Sequence, residues 1–126
     1  MNLRRPPAMA ARVRPRLITM SLDFTIAATY QEAMHNRLDW SIDERSHELI
    51  FHRSLDLHGR TQLVRMADYH TDVEYSVADL PNLMSDLDVV ISTLDPRSPL
   101  REALQEFRKV CALAQLQGKG IFGFAD

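Results

Sequence analysis

Two apolar stripes near the C-terminal end constrain this chain more than any other feature. Leu80, Leu83, Met84, Leu87, Val90, Ile91 and Leu94 make the first, and Leu100, Ala103, Leu104, Phe107, Val110, Cys111 and Ala114 make the second. At about 100° per residue each set occupies one side of a helix, the pattern of a helix laid on a core. Only Asp95-Pro96-Arg97-Ser98-Pro99 separates them, so an antiparallel helical hairpin is expected. The boundaries carry matching signals. Ser76 with Asp79 reads as an N-cap and its acidic third position, and Pro81 falls at the edge of the first turn. Pro96 ends the first helix near Leu94, Ser98-Pro99 starts the second, and Gly118 closes it.

Upstream the period changes to two. Leu22, Phe24, Ile26, Ala28 and Tyr30 alternate with smaller or polar residues, as in a half-buried strand. Leu38, Trp40 and Ile42 alternate again before the charged turn Asp43-Glu44-Arg45-Ser46, and Gln31 to Arg37 reads as a loop or one helical turn. Glu48 to Leu57 reads as a strand with Leu49, Phe51, Leu55 and Leu57 on one face and Ile50, His52, Ser54 and Asp56 on the other. His58-Gly59 then supplies a turn, Thr61 to Ala67 the returning strand, and Val73, Tyr75 and Val77 one face of another. The expected fold class is therefore α+β: an antiparallel meander of about five strands, then the two-helix hairpin packed on one face. Ile121-Phe122-Gly123-Phe124 adds a short C-terminal strand.

Charge divides the chain. Residues 1–19 hold five arginines (Arg4, Arg5, Arg12, Arg14, Arg16), three prolines and no acid, whereas residues 20–126 carry a net charge of −7. The first segment is expected to be a disordered Arg/Pro-rich tail, or an over-long start with Met20 as the true initiator. Residues 20–126 are expected to form a single domain. Its acidity disfavours nucleic acid as its ligand and suits a basic partner. No apolar run is long enough to span a bilayer and no signal peptide is evident, so the cytoplasm is the expected location.

Catalytic motifs are missing. Gly118-Lys119-Gly120 follows a helix and lacks the spacing of a phosphate loop, and there is no Gly-x-Ser-x-Gly, Cys-x-x-Cys or dinucleotide-binding glycine pattern. Cys111, the single cysteine, lies on an apolar stripe and reads as a buried inert thiol. His47-Glu48-Leu49-Ile50-Phe51-His52 has one residue more than the zinc-protease HExxH motif. On an α-helix those imidazoles would stand about 140° apart, and on a strand they would face opposite sides, so they are not expected to meet at one metal. His52, His58 and His70 remain the candidate metal ligands. Acidic pairs such as Asp86/Asp88 and Asp43/Glu44 read as solvated charge.

One irregularity points outward. Leu113 and Leu116 project at about 220° and 160° from Leu100, on the polar side of the second helix, and Val89 lies opposite the first stripe. They are expected either to be covered by the last strand or the tail, or to form a partner surface, including a homodimer contact through the C-terminal helix.

The function that follows is a small cytoplasmic protein-binding domain of immunity, antitoxin or regulatory type. Asp43, Glu44, Asp68, Asp72 and Glu74 would cluster at sheet ends to meet a basic partner, with Leu113 and Leu116 adding apolar area. No cofactor is expected in this reading. The alternatives are a metal-dependent or other enzyme using the sheet histidines, and nucleic-acid contact through the basic arm.

Overall fold

The structure is a computed structural model that describes residues 21–125, apart from the side chains of Arg53 and Ser54. The tail of residues 1–19 lies outside the described residues. The fold is α+β, with a four-stranded antiparallel sheet in the order β2-β1-β4-β3. The strands are β1 (Ser21–Ala27), β2 (Trp40–Asp43), β3 (Val73–Tyr75) and β4 (Gly120–Ala125). The last strand thus lies inside the sheet, with Leu22 opposite Ala125 and Tyr75 opposite Ile121.

Alternation sends Leu22, Phe24 and Ile26 of β1, with Ile121 of β4, into the main core. The opposite face is not solvated, contrary to a half-buried strand: Thr25 is fully buried and Asp23 is 1% exposed. Part of that face is covered by α1 (Tyr30–His35), whose Ala33 and Met34 pack with Ala27, Phe122 and Phe124. Thr29 caps α1 by accepting from Glu32 N–H, and Glu32 Oε1 accepts in return from Ala28 N–H. The central strands β1 and β4 are therefore packed on both sides, whereas Ser41 and Asp43 of β2 and Glu74 of β3 remain exposed.

On the main face lie α3 (Leu80–Thr93) and α4 (Pro99–Gln117). Leu80, Leu83, Leu87, Leu104, Phe107, Cys111 and Ala114 are fully buried. Phe107 meets Phe24 at 5.0 Å and stacks on Trp40 at 4.4 Å, tying α4 to β1 and β2. Ser76 and Asp79 form the expected capping box, Ser98 caps α4, and Gly118 ends it at φ +68°, where a side chain would be strained. Burial pushes the Cys111 thiol up to about 12, so it is protonated and inert. No helix among the described residues is long and apolar enough to cross a membrane.

The middle of the chain departs from expectation. Before α3 there are three strands instead of about five, because residues 44–54 and 63–66 are helical; the expected C-terminal strand is β4. Asp43-Glu44-Arg45-Ser46 is no free turn: Asp43 Oδ1 accepts from Ser46 N–H at 2.7 Å and caps α2 (Glu44–Glu48). A π-helical turn, Leu49–Ser54, continues α2 where a strand was expected. The returning strand is a 3-10 turn, Leu63–Met66. The buried residues here are His47, Ile50, Leu63 and Met66, two i,i+3 pairs, whereas Leu49, Phe51, Leu55 and Leu57 are only partly buried. Helical spacing was present, masked by a stronger alternation of large side chains.

Asp86 is a second correction. It is 7% exposed, and its Oδ2 accepts from Gln62 N–H at 2.9 Å and Leu63 N–H at 3.0 Å. It anchors the 3-10 turn to α3, while Asp88 forms the solvent-facing pair with Arg108.

The position of β4 gives a test. A Cβ at Gly120 would lie 2.5 Å from the Tyr75 carbonyl oxygen, a backbone atom. Gly120→Ala should therefore cost about 1–3 kcal/mol in urea unfolding. A change below about 0.5 kcal/mol, the range of an inert surface substitution, would contradict this strand order.

Candidate functional site

The helical course of residues 44–54 creates a cleft of about 500 Å³ that a meander would not contain. Glu44, His47, Glu48 and His52 form one wall, and residues 67–70 (Ala67, Asp68, Tyr69, His70) form the other. In a π-turn the backbone bonds run from i to i+5, so side chains five apart are brought toward one side. His47 and His52 accordingly have ring centroids 5.9 Å apart, against the separation expected from α-helical or strand geometry.

Both imidazoles face the opposite wall. His47 Nε2–H donates to the Met66 carbonyl at 2.6 Å, and His52 Nε2–H donates to the next carbonyl, Ala67, at 3.1 Å. Because a carbonyl only accepts, each ring carries a proton on Nε2. The His47 ring is 1% exposed, with Phe51 at 4.6 Å and Tyr69 at 4.9 Å. Burial holds its pKa below the usual histidine value, outweighing the opposing effect of the Met66 hydrogen bond. His47 is therefore neutral at pH 7.

The acidic side chains have different tasks. Asp68 Oδ2 accepts from Thr71 Oγ1–H at 2.7 Å and its Oδ1 from His70 N–H at 2.9 Å, and these bonds hold its carboxyl below the usual range. Glu44 and Glu48 stand on the exposed side of α2. Carboxylates from both walls thus border one cleft that His47 and Tyr69 also line.

The candidate metal ligands do not converge. His52 and His70 share the cleft, but His58 lies in the turn closed by Arg60 N–H to Leu57 O and does not line it. Among the described residues no group of three or more His, Cys, Asp or Glu is placed to hold a metal ion.

The candidate partner residues also divide. Glu44 and Asp68 line the cleft, with Asp43 at the N-cap beside it. Asp72 and Glu74 border a different hollow of about 370 Å³ with Tyr30, Phe122 and Phe124, and Asp72 Oδ1 accepts from Ala125 N–H at 2.8 Å. The expected single cluster at the sheet ends is therefore two. Leu113 and Leu116 are 45% and 84% exposed and line neither hollow. His47 and Glu48, set aside in the sequence with the HExxH-like stretch, and Tyr69, which no sequence pattern marks, also belong to the cleft. Asp43 and Ser46 as a helix cap, with the i,i+3 pair His47 and Ile50, are the signal that would have found this wall.

Comparison with protein-family models, with curated proteins and with solved structures finds no match to this chain.

The division of labour within the cleft is measurable. His47→Leu removes the donor to the buried Met66 carbonyl and should cost about 1–3 kcal/mol in urea unfolding. Glu44→Gln, on the exposed rim, should change stability by no more than about 0.5 kcal/mol. Equal effects would contradict the structural role given to His47.

Proposed function

We infer that the domain is a protein-binding module of immunity, antitoxin or regulatory type, and that its cleft receives a basic side chain of the partner. The observation that carries this reading is the convergence of Glu44 and Asp68, far apart in sequence, with Glu48 on one cleft. A partner Lys or Arg placed there would have carboxylates on two sides and the Tyr69 ring beneath its aliphatic stem. The net charge of −7 over residues 20–126 adds a long-range field that steers basic surfaces toward the domain. Leu113 and Leu116 supply exposed apolar area for a larger interface, and the same leucines support a homodimer through α4. The module would need no cofactor, and it would act in the cytoplasm.

The test is peptide-display panning on the full chain, followed by affinity measurement with the selected peptides. Enriched peptides should carry an Arg or Lys whose replacement by Ala abolishes binding. Affinity should fall with rising salt and be lost in Glu44→Lys/Glu48→Lys. Peptides without a basic residue, or binding indifferent to this charge reversal, would overturn the reading.

A further inference from the structure

The cleft gathers three imidazoles, and only one of them is sealed from water. His52 and His70 are exposed, whereas His47 is buried between the Phe51 and Tyr69 rings. His47 Nε2–H is already committed to Met66 O, and the residue is only 1% exposed. A second proton would therefore place a cation between the Phe51 and Tyr69 rings, almost entirely out of reach of solvating water. We propose that the contact between α2 and residues 66–70 is an acid-sensitive latch, which opens the cleft when His47 is protonated.

The groups facing His47 come from both walls. α2 and its π-turn bring Glu44, Glu48 and His52, and the opposite wall brings Asp68, Tyr69 and His70. β2 ends at Asp43, whose carboxylate is engaged with the first turn of α2. Asp68 attracts a cation at His47, but its oxygens are already turned to Thr71 and His70 N–H, and the neighbouring His52 and His70 oppose it. Desolvation remains the largest influence on the ring.

The sign follows by linkage. The closed form keeps His47 neutral, whereas the open form exposes it to water, where histidine takes a proton near the ordinary pKa of about 6.5. The open form therefore binds more protons as pH falls below that value, and acid draws the equilibrium toward it. Stability of the closed cleft is complete above about pH 6.5 and declines below it.

The moving part is defined by what is anchored. Gln62 and Leu63 are held by Asp86, and Tyr75 Oη–H donates to Gln62 O at 2.7 Å, so the start of the 3-10 turn stays with α3 and β3. α2 and its π-turn are the side that parts, a movement that also draws on Ile50, which is fully buried in the main core. This opening does not require that a basic partner exists.

Amide hydrogen exchange of the full chain at pH 7.5 and 5.0, corrected for intrinsic rates, tests it. Amides of residues 44–54 should lose protection at pH 5.0 relative to β1 and β4. The loss should vanish in His47→Gln, whose amide can donate to Met66 O but does not titrate, and persist in His52→Gln. No loss in the wild type, the same loss in His47→Gln, or simultaneous loss in β1 and β4 would overturn the latch. If His47→Gln does not fold, the wild-type His47 ring decides by its own titration. Protonation coincident with amide exposure supports the latch, and protonation with the amides still protected overturns it.

Discussion

The structure depends on the chain's last strand being held between its first and third. β4 pairs with β1 along six residue positions and with β3 along three, so the sheet exists as one surface only after the C-terminus returns. Two glycines make the fit possible. A side chain at Gly120 would strike the Tyr75 backbone, and one at Gly123 would come within 2.6 Å of the Phe24 ring. With β4 seated, Ile121 faces the α3/α4 side while Phe122 and Phe124 face α1, which gives the small domain a core on each side of its sheet. This long-range pairing has an entropic cost that short hairpins avoid, and it is repaid only once both cores close.

Much of this was legible where one local signal had no rival. The stripes of α3 and α4, the Ser76/Asp79 box, the Ser98-Pro99 start and the Gly118 stop each follow from local stereochemistry. β1, β2 and β3 fall within the alternating runs but are shorter than these, Tyr30 and Val77 entering helical turns, and β4 falls on the apolar run at Ile121–Phe124. Residues 44–66 were misread because two periods compete there. Leu49, Phe51, Leu55 and Leu57 alternate, but the core takes His47 and Ile50, then Leu63 and Met66. A histidine carries no hydrophobic weight in a periodicity count, so the buried i,i+3 pair was half invisible. Asp86 shows the same limit. Its neighbour Asp88 is solvated, and only the tertiary position of the 3-10 turn makes Asp86 a buried acceptor.

The candidate site inherits this difficulty. Individual carboxylates and histidines were recognisable, but their grouping depends on the π-turn, which has no sequence signature of its own. It draws His47 and His52 together over two consecutive carbonyls and leaves His58 elsewhere. One element thereby supplies both the wall of the cleft and the buried imidazole beneath it. Binding and acid response would then share a single piece of the fold, with the sheet and the long helices as its fixed support.

The most direct measurement is a long-range 1H–15N correlation of the histidine rings at pH 7.5. The expected result is that His47 is a neutral Nε2–H tautomer, with a slowly exchanging ring proton close to the Met66 backbone. A His47 proton on Nδ1, or a charged and freely exchanging ring, would contradict the placement of this helix against residues 66–70 and the cleft with it.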